Sequence, residues 1–333
     1  MRLLRKILYP LSLIYALVVS IRNWLYDTGF FTSFSFNTPT ICIGNLSVGG
    51  TGKTPMAEFL IRLLKDDYKI ALLSRGYRRS SSGFMMANSE STVAELGDEP
   101  FQIHTKFPKI TVAVDADRRI GIQMLEDKVS PEIIVLDDAF QHRKVNYGFS
   151  ILLTAYSNLY VDDFYLPTGN LRDSRREARR ADIIVVTKCP THLSEQELIE
   201  ITRKLNPEPH QEVLFSSLEY DQNLKGAGGT LGSLANRNIT LVTGIANPEP
   251  LVAYLREAGL VFEHLRFKDH HNFSDTELAR LRTKEVLLTT EKDYMRLQDK
   301  VENLYYLSVR HRFLNDGRKI LQNRLENFMA KRS

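Results

Sequence analysis

The sequence predicts an α/β fold: a mainly parallel sheet, a second smaller α/β lobe after it, and a separate helix before it. Three observations carry this. Short apolar runs rich in Ile, Leu and Val alternate with helically spaced patterns. One of these runs opens into a glycine-rich loop that leads into an amphipathic helix. The texture then changes near residue 207, where Pro207 and Pro209 precede Lys225-Gly226-Ala227-Gly228-Gly229. With 333 residues, 43% of them hydrophobic and 25% charged, the chain can build one large α/β domain or two smaller ones, and it is neither disordered nor polytopic. The expected division is 1–30 for the N-terminal helix, 31–206 for the core and 207–333 for the smaller lobe.

Taken in order, the first element is the uncharged, mostly apolar stretch 7–21, with Arg2, Arg5 and Lys6 before it and Arg22, Trp24 and Tyr26 after it. As a helix it is about 22 Å long, short of the ~30 Å hydrocarbon core of a bilayer. It reads as an anchor lying on an anionic membrane surface, with basic and aromatic residues at headgroup level. A helix packed on the protein's own core, and a true span or uncleaved signal, are the competing readings.

Next comes a β-branched run at 40–43, followed by Gly44-Asn45-Leu46-Ser47-Val48-Gly49-Gly50-Thr51-Gly52-Lys53-Thr54 and a helix with Met56, Phe59, Leu60, Leu63 and Leu64 on one face. Strand, glycine-rich loop and helix are the context of a P-loop, so the core is read as P-loop NTPase-like. Ser47, Val48, Gly49, Gly50, Thr51 and Gly52 curl the backbone so that N–H groups point at phosphate oxygens. Lys53 reaches the β and γ phosphates and Thr54 ligates Mg²⁺. Ser47 stands where the strict pattern has Gly.

A buried parallel strand at 133–136 delivers Asp137 and Asp138 to the sheet edge, where an acid holds Mg²⁺ or its water shell. Ala139-Phe140-Gln141-His142 then begins a loop over the phosphates. Further strands are expected at 70–74, 110–114, 151–154 and 183–187, and in the second lobe at 239–242, 261–265, 285–288 and 304–307.

Three clusters offer the remaining chemistry. Gly97-Asp98-Glu99-Pro100 puts two carboxylates at a helix start, where Asp98 is either an N-cap or a reactive acid. Lys268-Asp269-His270-His271 follows the 261–265 strand, and an imidazole from it could orient the carboxylate of the first cluster. Arg172, Arg175, Arg176, Arg179 and Arg180 lie within nine residues, and at helical spacing four of them share a face suited to an anion. Arg75, Arg78, Arg79, Arg118 and Arg119 add positive charge at strand ends. The total, 44 Lys plus Arg against 40 Asp plus Glu, is only +4, too mild for a dedicated nucleic-acid binder. Cys42 and Cys189, far apart in apolar runs, exclude a disulfide framework and a CxxC metal site and suit a reducing compartment.

Together these residues resemble the bacterial lipid A 4'-kinase, or tetraacyldisaccharide 4'-kinase, family. The likeness runs through residues 44–55, Ser74-Arg75-Gly76-Tyr77, Gly97-Asp98-Glu99-Pro100, Leu136-Asp137-Asp138-Ala139-Phe140-Gln141-His142 and Thr290-Glu291-Lys292-Asp293, and Ser47 is common in that family. The resemblance implies transfer of the ATP γ-phosphate to the 4'-hydroxyl of an acylated glucosamine disaccharide 1-phosphate, at the cytoplasmic face of the inner membrane. It implies no nucleic acid and no obligate protein partner. It makes Asp98 the catalytic base assisted by His270, with Lys53 and Asp138 also in the catalytic set. It gives Mg²⁺ to Thr54, Glu99, Asp137 and Asp138, and substrate or phosphate contacts to Arg118, Arg172, Gln141 and His142. Two departures stand out: Ala139 where the family usually has Gly, and Asp173 where it commonly has Glu. The rival is a membrane-tethered regulatory P-loop NTPase; Thr187-Lys188-Cys189-Pro190 faintly echoes a guanine-reading motif but lacks its terminal Asp.

Overall fold

A computed structural model describes Arg5 and residues 7–331. Arg2 and Lys6, two of the cations flanking the apolar stretch, lie outside the described residues. Helix α1 (Tyr9–Asp27) opens with Pro10 in its first turn, where a missing N–H costs nothing. Its pattern is inside out. Ser12 and Asn23 are buried against the protein, whereas Ile14, Leu17, Val18 and Trp24 are all about 60% exposed. Ser12 donates to Thr168 Oγ1 at 2.8 Å and Tyr15 donates to the Arg172 carbonyl at 3.0 Å. The helix is therefore docked on the core by polar contacts and leaves its apolar face bare. Arg22, expected at headgroup level, instead donates to the Gln141 carbonyl. Among the described residues no helix is long and apolar enough to cross a membrane.

The core runs through β1 (Thr40–Asn45), α2 (Lys53–Leu64), β2 (Ile70–Ser74), β3 (Met85–Met86), α3 (Val93–Leu96), α4 (Asp98–Lys106), β4 (Thr111–Val114), α5 (Arg118–Val129) and β5 (Ile133–Asp137). It continues with β6 (Phe149–Ala155), β7 (Ile183–Thr187), α6 (Glu195–Leu205) and β8 (Glu212–Tyr220). Side-chain caps set several helix starts: Asp117 accepts from Arg119 N for α5, and Ser194 with Glu197 forms a capping box for α6. Residues 172–180 do not form the expected helix; Arg175–Arg180 is a 3₁₀ turn, so the shared arginine face does not exist. Its arginines go inward or sideways instead, Arg175 to the Asp163 carbonyl, Arg179 to Asp27 and Arg180 to Glu177 and the Phe140 carbonyl.

A second unit follows: β9 (Lys225–Gly226), β10 (Ile239–Thr243), α7 (Glu249–Glu257), β11 (Phe262–Arg266), α8 (Asp275–Arg282), β12 (Val286–Thr290), α9 (Glu291–Leu297) and β13 (Leu304–Leu307). The chain then returns through β14 (Val309–Phe313) and α10 (Gly317–Ala330). The first sheet has nine strands in the order β14-β8-β7-β6-β1-β5-β2-β4-β3, and the second has five, β11-β10-β12-β13-β9. Pairing is parallel except at β3, β9 and β14. A boundary at 207 thus does not follow the sheets, because β8 and β14 both belong to the first. Their sequences hide this: β8 buries Ser216 and Ser217, and β14 reads Val-Arg-His-Arg-Phe, so neither looks like an apolar strand.

Strands β1, β2, β5 and β7 are buried along their whole length, as a parallel sheet covered on both faces requires. Ile41 and Ile43 pack with Met56, Leu60, Leu321 and Leu325 on the α2 and α10 side. Cys42 packs with Ile122, Leu125 and Leu136 on the other. In the second sheet, Leu241 and Leu255 anchor one face and Leu281 and Leu297 the other. The placement that matters is central: β1 lies between β5 and β6, with Ile43 level with Asp137. The loop after β1 therefore starts beside the acids that end β5, at a sheet crevice where open α/β folds bind ligands.

Candidate active site

Residue 44 must be Gly, since a Cβ there would lie 2.4 Å from Phe140 Cβ. That close approach brings the loop after β5 against the end of β1. The phosphate loop then turns through Gly49 at φ +115° and Gly52 at φ +88°, both in the region open to glycine, and Gly52 caps α2 without a side chain. Asn45 braces the loop by donating to Thr51 Oγ1 at 3.0 Å, and Thr187 donates to the Thr51 carbonyl at 2.8 Å. Lys53 Nζ sits 3.3 Å from Asn45 Oδ1 and 3.7 Å from Asp138 Oδ1.

Asp138 receives both arms of Arg172, one at 3.1 Å, and the same guanidinium reaches Asn45. Burial works against its charge, but Lys53 and Arg172 outweigh it and hold the carboxyl at about 2. Asp137 is the opposite case. Burial, then the neighbouring Asp138, push it up to about 6; Ser74 donates to Oδ2 at 3.1 Å and Oδ1 has no partner among the described residues. The charge of Asp138 is thus met by Lys53 and Arg172, while the buried Oδ1 of Asp137 is left without a partner among the described residues. The charge of Glu99 also raises Asp137, which links this cluster to the next.

The next cluster forms where the two units meet. Gly97, at φ +87°, approaches so closely that a Cβ would be 2.9 Å from the Tyr77 carbonyl, and it starts α4 with Asp98 as the first helical residue. Asp98 is 5% exposed. His270 comes from the second unit, held by its own N–H to the Gly244 carbonyl at 3.1 Å, and brings Nδ1 to 2.5 Å from Asp98 Oδ2. His271 points elsewhere, to Glu277 at 2.9 Å. Lys292 Nζ lies 3.0 Å from His270 Nε2 and 2.9 Å from Glu99. An ammonium only donates, so Nε2 accepts and the ring proton sits on Nδ1, aimed at Asp98. Arg296 completes the site, its Nε 2.7 Å from Asp98 Oδ1 and a second arm on Oδ2. Burial opposes ionisation, but the His270 and Arg296 bonds prevail and bring Asp98 to about 2. Asp98, Glu99 and His270 have metal-ligand spacing, with Lys292 beside them. Beside them opens a cleft of about 710 Å³ lined by Tyr77, Arg78 and Phe101 from one unit and His270, Arg296 and Lys300 from the other.

Lys53, Asp137, Asp138 and Arg172 thus meet at one sheet edge, with Thr54 following Lys53 in the first turn of α2, and Asp98, Glu99 and His270 meet beside it. Arg118 lies beneath them. It is 2% exposed and donates to the carbonyls of Asp115 at 3.1 Å and Asp137 at 3.2 Å, fixing the strand ends beneath the acids. Gln141 is likewise engaged, donating to the Asn45 carbonyl at 2.9 Å. His142 is 3.4 Å from Asp117, and burial lowers it to about 4, so it is neutral at pH 7. Asp173 is fully buried and accepts from Asn23 of α1 at 2.7 Å, which makes it a docking residue for that helix. Sequence reasoning missed Asn45, Lys292 and Arg296 as site residues. Lys292 and Arg296 carry a signal, since four-residue spacing on a helix just after a strand puts both on one face.

The family model described as Tetraacyldisaccharide-1-P 4'-kinase matches residues 4–329. The tetraacyldisaccharide 4'-kinase of Flavobacterium johnsoniae is 50% identical over 323 residues, covering 95% of this chain and 94% of that protein. That of Bacteroides thetaiotaomicron is 46% identical, covering 88% and 83%. The crystal structure of LpxK from Aquifex aeolicus in complex with ATP superposes with a TM-score of 0.81 at 31% identity, over 98% of this chain and 99% of that one. Matched along its length in sequence and in fold, the chain belongs to the tetraacyldisaccharide-1-P 4'-kinase family.

Proposed function

We propose that the chain transfers the γ-phosphoryl group of ATP to the 4'-hydroxyl of an acylated glucosamine disaccharide 1-phosphate, the activity of a tetraacyldisaccharide 4'-kinase. The observation that carries the mechanism is the meeting of Asp98 and His270 across the two units, next to Lys53 and Asp138. The 4'-oxygen attacks the γ-phosphorus, its bond to phosphorus forms as the bond to the β-bridging oxygen breaks, and ADP leaves. The hydroxyl proton passes to Asp98. A carboxyl held at about 2 is ionised at neutral pH, and His270 orients it. Its low basicity suits a loose transition state, in which the hydroxyl gives up its proton late.

The loop residues 47–54 cradle the phosphates through backbone N–H groups, and Lys53 meets the β and γ phosphates. Arg172 we assign to the γ-phosphate, supported by its contact with Asp138. Thr54, Glu99, Asp137 and Asp138 would hold Mg²⁺, and the unpartnered Oδ1 of Asp137 fits a cation. When bound, Mg²⁺ neutralises charge on the β- and γ-phosphate oxygens.

The acceptor's acyl chains cost about 0.8 kcal/mol per CH₂ to expose to water, so the reaction belongs at a membrane surface. The bare apolar face of α1 supports that reading. The test is to incubate the protein with Mg²⁺, γ-labelled ATP and the disaccharide 1-phosphate in mixed micelles. Label should move to the lipid; label released only as inorganic phosphate would favour a regulatory NTPase instead.

A further inference from the structure

Strand β14 returns to the first sheet only after the second unit is complete, and it brings His311 against the phosphate loop, 259 residues away in sequence. His311 is 6% exposed, with Nε2 2.9 Å from the Gly52 carbonyl and Nδ1 2.9 Å from Ser216 Oγ. A carbonyl only accepts, so Nε2 carries the proton and Nδ1 accepts from the Ser216 hydroxyl. Burial holds the imidazole down at about 4, so it is neutral.

We infer that His311 is a positioning residue for nucleotide binding, holding the peptide between Gly52 and Lys53 so that the Lys53 N–H faces the phosphates. The inference rests on the reading of this loop as the ATP site. The Gly52 carbonyl accepts the first bond of α2, from Met56 N at 3.0 Å, and His311 on β14 adds a second hold; because a trans peptide points its C=O and N–H in opposite directions, fixing this oxygen keeps the next N–H facing the other way. That N–H is in the first turn of α2, where helix donors have no intrahelical partner. Thr187 treats the preceding peptide alike, donating to the Thr51 carbonyl at 2.8 Å. The bare Cα of Gly52 lets the ring approach, since a Cβ there would lie 3.1 Å from it. Two neighbouring carbonyls are thus held by side chains from two strands, β7 and β14.

Titration calorimetry with Mg·ADP and Mg·ATP tests this on wild type, His311→Leu and His311→Gln. His311→Leu should weaken both nucleotides about 3- to 10-fold, the scale of one lost hydrogen bond, and leave affinity for the lipid acceptor unchanged. His311→Gln, whose Nε2–H can reach the carbonyl, should recover part of the loss. Should His311→Leu melt below the assay temperature, His311→Asn, too short to reach, is read with the same expectation. Unchanged nucleotide affinity, or equal weakening of nucleotide and lipid, overturns the inference. Wild-type protein that binds neither nucleotide overturns the ATP reading as well.

Discussion

Asp98 shows how much chemistry depends on neighbours that one residue type does not reveal. Its carboxyl is depressed to about 2, so between about pH 2 and 4 the unfolded chain binds the proton that the folded chain refuses. The stability it contributes is present above the unfolded value near 3.9 and disappears as pH falls toward 2. The difference in urea midpoint between wild type and Asp98→Asn should therefore be constant above about pH 4.5 and shrink below it. A difference that instead changes between pH 6 and 8 would show that the folded carboxyl titrates there. Lys53, 3.7 Å from Asp138, should be just as exposed by kinetics. We expect Lys53→Ala to lower kcat by at least about 10²-fold, the scale of a lost electrostatic donor. Activity within a few-fold of wild type would remove Lys53 from the reaction.

At the scale of elements, the sequence made plain whatever follows a simple rule. Strands β1, β2, β5 and β7 announce themselves because a strand buried on both faces must be apolar throughout. The phosphate loop is legible because its backbone needs Gly at fixed places. What stayed hidden obeys tertiary rules: Ser216 sits in a buried strand because His311 answers it, and the arginines of residues 172–180 face acids and carbonyls that only the fold supplies. Likewise the spacing of Lys292 and Arg296 put them on one face, but that Arg296 answers Asp98 appeared only where α9 met α4. Helix α1 was legible as apolar, but its docked polar edge was not. Because Ile14 and Leu17 are exposed, replacing both with Glu should leave the melting temperature nearly unchanged while abolishing sedimentation with anionic liposomes. Equal sedimentation of variant and wild type would separate this helix from membrane binding.

On the scale of the molecule, the chain passes between the two units from β8 to β9 and back through Ser308 between β13 and β14, and the site takes residues from both. A buried charge cluster helps hold them. Lys106 of α4 lies 2.7 Å from Glu58 of α2 and also pairs with Glu291 of α9, whose carboxyl is raised by burial and by Glu58. Removing the shared cation leaves Glu291 buried without its partner while Glu58 keeps Arg62 at 3.0 Å, so Lys106→Met should cost about 3 kcal/mol and lower the melting temperature by several degrees. A melting temperature within about 1 °C of wild type would show that the cluster does not tie the units together. The proposed mechanism requires Asp98 and His270 to meet across that junction. Its most direct test compares wild type with Asp98→Asn for transfer of label from γ-labelled ATP to the disaccharide 1-phosphate, with ATP affinity measured alongside. The expected result is transfer reduced at least about 10²-fold with ATP affinity retained. Undiminished transfer by Asp98→Asn would contradict it.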